Sequence, residues 1–198
     1  MSDQPEFNDD AQTREVYAHF GLAIYLAQCL EHGIVNALLY AKLMPKELKR
    51  YKRRRPLPFD RTGFESRFDL FMEQNFDQTI GALVRLLRET TTVPANLDAE
   101  LIEAKDARNF LAHGYFRDRA EAFVSRVGRA SMIAELERLQ KLFVHADDEL
   151  RAVVEPFAAQ SGFTPEVLDR YQNEYLTRAY ARAAAIDAAR IGDDKGEC

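Results

Sequence analysis

The sequence has no tryptophan, only two cysteines, and few of the residues that interrupt regular structure. Its 198 residues include 9 glycines and 7 prolines, which excludes collagen-like and glycine-rich linker sequences. Cys29 and Cys198 are too few to build a disulfide framework, so we expect a protein of a reducing compartment, the cytoplasm. With 46% hydrophobic and 30% charged residues, the chain has enough apolar side chains to form a core.

The N-terminus lacks the pattern of a secretory signal, because its first fifteen residues are predominantly acidic. Residues 16–41 form the longest apolar run, and Glu31 is its only formal charge. One acidic residue at the centre of a membrane helix costs roughly 2.5–3.5 kcal/mol, and the run also contains four polar side chains: His19, Gln28, His32 and Asn36. We therefore expect a buried helix of a soluble protein, with no membrane partner.

Apolar residues recur at helical spacing along most of the chain, and no segment alternates with the period of a β-strand. This pattern predicts an all-α fold, an antiparallel bundle of about five helices. The predicted organisation is a disordered tail at 1–10, a helical bundle at 11–160, and an additional helix with a flexible tail at 161–198. The predicted helices cover 11–43, 62–89, a third from about Asn96 to the region of Gly114, 131–157 and 164–191, with a linker at 45–60.

Residues 107–116, ARNFLAHGYF, concentrate side chains suited to acid–base and phosphate chemistry. Asn109 follows Arg108 directly, His113 comes five residues after the arginine, and Tyr115 follows two residues later. An imidazole exchanges protons near neutral pH, and a guanidinium presents a permanent charge in a planar fork that matches phosphate oxygens. On a helix Asn109 and His113 share a face, whereas Arg108 and His113 are about 140° apart. Arg108 must therefore reach around the helix or act across a dimer axis.

In an all-helical chain these residues resemble the HEPN family, whose name abbreviates "higher eukaryotes and prokaryotes nucleotide-binding". Its ribonuclease members carry an arginine, four to six residues and then a histidine, and Arg108, Asn109 and His113 match that pattern. Tyr115 is similar to the tyrosine of a toxin subgroup, in which a partner nucleotidyltransferase antitoxin modifies it. The resemblance implies a homodimeric, HEPN-like helical bundle that cleaves RNA without a metal ion, in a defence or toxin–antitoxin system.

The resemblance also implies a role for each residue of the motif. Arg108 would hold the scissile phosphate, His113 would be the acid and base, and Asn109 would bind the phosphate or orient the histidine. Tyr115 would position the substrate or be the site of a regulatory modification. One histidine cannot easily serve both the attacking 2′-OH and the leaving oxygen, whereas two motifs facing one cleft in a symmetric dimer would supply both.

Two further groups of residues are candidates for binding the substrate. Residues 46–55 hold seven cations in a chain whose net charge is −5. Among these, Lys52, Arg53, Arg54 and Arg55 could bind RNA phosphates while Tyr51 stacks on a base. The alternative is a solvated loop, or a basic arm that meets an acidic partner surface.

The other group lies on the first helix, where Gln28, His32 and Asn36 recur every four residues beside Glu31. Glu31 and His32 could line the catalytic cleft, with Glu31 orienting His113 or Arg108. These side chains could equally form a ladder of hydrogen bonds between helices or chains. The histidines are not at mutual ligand spacing, so neither a metal site nor a cofactor is predicted.

A non-catalytic interpretation of the motif stays open on the residues alone. His113 could be a helix-end histidine favoured by the helix dipole, and Tyr115 could be a core aromatic. Arg108 could pair locally with Glu103 or Asp106. The chain would then be a dimeric helical interaction module that binds protein or nucleic acid.

Overall fold

The computed structural model describes residues 11–193, with side chains described as far as residue 186. Within that range every regular element is a helix and no β-strand occurs, so the all-α prediction is confirmed. The predicted tail at 1–10 and the final residues 194–198 lie outside the described range.

The helices follow one another with short connections. The first, α1, spans Ala11–Leu38 and continues through a π-helical turn at Leu39–Leu43 into α2 (Met44–Arg54). The remaining helices are α3 (Arg61–Phe76), α4 (Ile80–Thr90), α5 (Ala95–His113), α6 (Tyr115–Asp118), α7 (Ala120–Phe123), α8 (Arg126–Gln160) and α9 (Pro165–Asp193). The described part of the chain divides into two compact units, with the boundary between Val154 and Glu155.

Helix α1 supplies the central face of the core in the first unit. It contacts α3, α4 and α5, and most of its buried residues recur at intervals of three, four or seven positions: Val16, Ala23, Ala27, Leu30, Ile34 and Leu38. Burying a leucine or isoleucine contributes about 1.5–3 kcal/mol, so this stripe accounts for the position of α1. By length and composition the helical stretch Ala11–Arg54 could also cross a membrane, but this is weak evidence because core helices and signal sequences have the same length and composition.

Helix α8 packs against α1 along part of its length. The side-chain amide of Gln140 donates to the backbone oxygen of His19 at 2.9 Å. Farther along, a Cβ atom at Gly33 would overlap the carboxylate of Asp147. The side chain of Asp147 therefore occupies the space that a side chain at position 33 would need.

The prediction of a linker at 45–60 is wrong for residues 45–54, which are helical. Pro45 does not interrupt the helical chain that begins with α1. The backbone N–H of Met44 bonds to the oxygen of Leu39 in the π-helical turn. Pro45 therefore falls in the first turn of α2, where the fixed φ of proline is compatible with the helix. The cationic residues are consequently carried on a helix.

Two other predicted boundaries also differ from the structure. The helix predicted at 62–89 is two helices, because the Thr79 hydroxyl accepts a hydrogen bond from the N–H of Ala82 at 3.3 Å and starts a new helix. Helix α8 continues through Pro156 to Gln160, although this proline removes one backbone hydrogen bond. The helix predicted to end at 43 thus continues into α2, the helix predicted at 131–157 spans Arg126–Gln160, and the break at Thr79 was not predicted.

Candidate active site

Helix α5 determines which way each side chain of the Arg–Asn–His motif faces. Its buried stripe consists of Leu97, Leu101, Ala104, Ala107 and Leu111. Arg108 comes seven residues after Leu101, which places the two within about 20° of each other around the helix. Arg108 therefore faces α1 and is half-buried, whereas Asn109 and His113 are exposed to solvent.

Arg108 is bound to Glu31, one of the residues that the sequence analysis singled out on the first helix. Its Nε donates to Oε1 of Glu31 at 2.8 Å, and the side chains of the arginine and the glutamate are 34% and 21% exposed. Arg108 does not pair with Glu103 or Asp106, the two local partners considered from the sequence. Asp106 pairs instead with Lys105, at 3.0 Å. Because the bond to Glu31 uses Nε, the two terminal guanidinium nitrogens are the groups that would meet a phosphate.

His113 occupies the last position of α5, and Gly114 ends the helix by donating its N–H to the oxygen of Phe110. Asn109 lies one turn earlier on the same exposed face. The imidazole is thus open to solvent and not enclosed by apolar packing. Within one protomer, however, the guanidinium of Arg108 and the imidazole of His113 face different sides of α5.

Tyr115 is in the core, which disagrees with its predicted role in substrate contact or modification. The side chain is 1% exposed, its hydroxyl donates to the backbone oxygen of Met132 at 3.2 Å, and its ring packs against Phe20 and Phe110 at centroid distances of 5.6 and 5.5 Å. Burial raises the pKa of the hydroxyl, and the nearby Glu135 carboxylate raises it further. In this conformation neither RNA nor a modifying enzyme can reach the hydroxyl, because the surrounding side chains cover it.

An ion pair that the sequence analysis missed lies beside Tyr115. Arg119 donates to both oxygens of Glu135, from Nε at 2.8 Å and from Nη2 at 2.6 Å, and its guanidinium carbon lies 5.1 Å from the centre of the Phe110 ring. These hydrogen bonds lower the pKa of Glu135 although burial opposes the shift. The pair joins the segment after α5 to α8. Nothing in the local sequence indicates it, because the partners are on different helices.

The structure separates the other polar residues of α1 from the motif. His32 is exposed, and its ring meets the edge of Phe76 at a centroid distance of 4.9 Å. Gln28 and Asn36 are also exposed. Of this group only Glu31 contacts the motif, and of its two predicted partners, His113 and Arg108, it binds Arg108.

The four cations predicted to bind RNA occupy different surroundings at the end of α2. Arg54 pairs with Asp60 at 2.9 Å, and the guanidinium carbon of Arg55 lies 5.1 Å from the centre of the Tyr51 ring. Lys52 and Arg53 are exposed. Tyr51 also packs edge-on against Phe59 at 6.0 Å, so its ring is engaged within the fold.

Three of the exposed cations of α2 lie on one side of the helix. Lys46, Lys49 and Arg53 follow one another at intervals of three and four residues and are all exposed, so they share a face. The opposite face holds Glu47, which is 6% exposed and accepts two hydrogen bonds from Arg67, at 2.9 and 2.7 Å. The helix therefore presents a cationic face to solvent, anchored from behind by an ion pair.

Among the described residues, no group of three or more His, Cys, Asp or Glu side chains is arranged to hold a metal ion. No protein-family model, no curated protein and no solved structure matches the chain. The resemblance to HEPN ribonucleases consequently depends on the motif and on the helical fold.

Proposed function

We propose that this chain is a metal-independent endoribonuclease of the HEPN type, with an HEPN-like bundle, that acts as a homodimer in the cytoplasm. The observation that supports the proposal best is the geometry of α5. His113 is exposed at the end of the helix with Asn109 on the same face, and Arg108 is held at a defined position by Glu31. A proton-transfer group open to solvent and an oriented phosphate-binding cation are the two parts that RNA cleavage of this kind needs.

The proposed reaction is a transesterification within one RNA strand. His113 of one protomer accepts the proton of a ribose 2′-OH, and that oxygen forms a bond to the adjacent phosphorus. The bond from phosphorus to the 5′-oxygen breaks, and the electron pair leaves with that oxygen. His113 of the second protomer, in its protonated form, supplies the proton to the leaving oxygen. The products are a 2′,3′-cyclic phosphate and a 5′-hydroxyl, so atoms and charge balance without a further reactant.

Arg108 would stabilise the charge that develops on the phosphorane oxygens through its terminal nitrogens. Asn109, one turn before His113, would hydrogen-bond a phosphate oxygen or orient the imidazole. Because Arg108 and His113 lie on different sides of α5 in one protomer, the groups that converge on the RNA would come from two protomers. This division of the site is the reason for proposing a dimer.

The cationic face of α2 would bind the RNA backbone at some distance from the cleavage site. We do not extend the proposal to modification of Tyr115 by a nucleotidyltransferase antitoxin, because the hydroxyl is buried. Regulation by such a partner would require another acceptor side chain or an opening of the aromatic cluster.

The test is cleavage of a mixed-sequence RNA by the purified full chain in the presence of EDTA. We expect cleavage products that end in a 2′,3′-cyclic phosphate, and a decrease of at least about a hundredfold in rate for His113→Ala and for Arg108→Ala. The matched controls are His145→Ala and Arg85→Ala, which remove an exposed imidazole and an exposed guanidinium elsewhere. Equal rates in all four variants would assign the cleavage to a contaminant, and circular dichroism would establish that each variant is folded.

One observation favours a second candidate function, a non-catalytic helical interaction module. Arg108 already has a carboxylate partner in the folded chain, as a purely structural arginine would. Such a module would bind RNA or a protein without cleaving RNA. Binding of RNA by the wild-type chain with no cleavage at any pH tested would favour this function over the enzyme.

A further inference from the structure

Helix α9 is long and exposes large apolar side chains. It spans Pro165–Asp193, and its exposed aromatic and aliphatic residues are Leu168, Tyr171, Tyr175, Leu176, Tyr180 and Ile186, with Tyr175 and Tyr180 each 72% exposed. These residues do not form one broad apolar face, because Leu176 and Tyr180 lie about 80° and about 120° around the helix from Leu168. The residues that share a single line along the helix indicate which partner fits there.

Four residues of α9 form one straight stripe. Leu168, Tyr175, Ala179 and Ile186 are seven, four and seven residues apart, and at 100° per residue they fall within about 20° of a single line. The spacing is symmetric about Thr177, since each member has a counterpart at the same distance on the other side. A second α9 running in the opposite direction would therefore meet the first in register.

This symmetry also matches large side chains with small or complementary ones. In an antiparallel pair centred on Thr177, Tyr175 of each copy faces Ala179 of the other, and Leu168 faces Ile186. Beside this seam Tyr171 comes next to Arg182 of the other copy, where a guanidinium can stack on the phenol ring. We infer that two copies of the chain associate through antiparallel pairing of their α9 helices along this stripe.

The charges of α9 favour the same arrangement. The half before Thr177 carries three acidic side chains, Glu166, Asp169 and Glu174, against Arg170. From Arg178 to the end of the helix at Asp193 the sequence carries Arg178, Arg182 and Arg190 against Asp187 and Asp193. Antiparallel pairing sets the acidic half of one copy against the basic half of the other, whereas parallel pairing would set like charges together and stack Tyr175 on Tyr175. A second copy thus fits this face by size, by charge and by register.

The first test measures the mass of the full chain in solution by sedimentation over a series of concentrations. We expect a reversible dimer, and we expect Ala179→Glu to raise its dissociation constant at least about tenfold because it places an unpaired charge opposite Tyr175. The matched control is Ala184→Glu, at an exposed alanine on the opposite side of α9, which should leave the dissociation constant unchanged. A wild-type chain that stays monomeric, or a dimer that Ala179→Glu does not weaken, would overturn the inference.

The second test determines the direction of pairing by disulfide formation in a background with Cys29→Ser and Cys198→Ser. Leu168→Cys and Ile186→Cys should form a disulfide with each other when the two variants are mixed and oxidised, and neither should form one alone. Disulfides within each separate variant would indicate parallel helices and overturn the inference. Both tests are independent of RNA cleavage, so an inactive protein that dimerises through α9 would contradict the proposed function and leave this inference standing.

Discussion

The carboxylate of Glu31 on α1 binds the guanidinium of Arg108 on α5, with Nε and Oε1 2.8 Å apart. The two residues are 77 positions apart in the sequence, so the fold as a whole creates this contact. It restricts a long, flexible side chain to one orientation, with its terminal nitrogens left to bind an anion. In the proposed enzyme Glu31 is therefore a positioning residue that acts through Arg108.

Replacing Glu31 tests that role directly. We expect Glu31→Ala to lower kcat for RNA cleavage by about tenfold or more, because small displacements of a phosphate-binding group are costly to catalysis, while KM changes little. Glu31→Gln retains an oxygen that accepts from Nε and should restore part of the rate. The control is Gln28→Ala on the exposed side of α1, and a similar decrease of kcat in that variant would contradict the assignment.

The burial of Tyr115 predicts how it responds to chemical modification. Tetranitromethane reacts with the phenolate form of exposed tyrosines, and burial raises the pKa of Tyr115. We therefore expect Tyr17 and Tyr180, which are 54% and 72% exposed and lie outside the inferred seam, to be nitrated in the native protein. Tyr115 should be protected until the chain is unfolded, as measured by peptide mass spectrometry. Nitration of Tyr115 at the rate of Tyr180 would show that the aromatic cluster opens in solution.

Two substitutions of Tyr115 distinguish the contribution of its hydroxyl to stability from that of its ring. Tyr115→Phe removes the hydrogen bond to the oxygen of Met132 and should lower the free energy of unfolding by about 1 kcal/mol. Tyr115→Ala also removes a buried ring and should cost about 3–5 kcal/mol. Denaturant unfolding measures both. If the phenylalanine variant cleaves RNA as fast as the wild type, the hydroxyl has no part in catalysis.

The helical character of the chain could be predicted from sequence because it depends on local spacing. The stripe of Leu97, Leu101, Ala104 and Leu111 is visible without any tertiary information and lies in the core as expected. The error at Pro45 has a local cause as well, since a π-helical turn changes the phase of the helix and accommodates the proline.

The contacts of the candidate site were predictable only as alternatives. A charged side chain in an apolar helix needs a polar partner, so Glu31 was expected to have one. The sequence did not decide whether that partner is Arg108 or His113. The pair of Arg119 with Glu135 and the burial of Tyr115 depend on how the segment after α5 folds back onto α8. Such long-range geometry leaves no periodic pattern in the sequence.

The cationic face of α2 predicts the salt dependence of RNA binding. For single-stranded RNA the slope of log K against log salt changes by about 0.7 for each phosphate that the protein no longer neutralises. Lys49→Gln combined with Arg53→Gln should therefore weaken binding and reduce the magnitude of the slope by about 1.4. The matched control, Arg85→Gln with Lys141→Gln, removes the same charge from exposed positions elsewhere. An equal effect of both double variants would attribute binding to net charge alone.

The ion pair between Glu47 of α2 and Arg67 of α3 predicts how the stability of the fold depends on pH. Hydrogen bonds from Arg67 lower the pKa of Glu47 from its ordinary value of 4.5, although burial opposes the shift. A carboxyl whose pKa is lower in the folded state contributes stability above its unfolded pKa and loses it as the pH falls through the folded pKa. We therefore expect the urea midpoint of the wild type to decline below about pH 4.5. Glu47→Gln should be less stable at pH 7 and should show a smaller decline in acid.

Glu65→Gln, which removes the carboxylate of the exposed pair with Arg61, serves as the control because exposed pairs contribute little. Identical pH profiles for Glu47→Gln and the wild type would show that this ion pair does not stabilise the junction of α2 and α3.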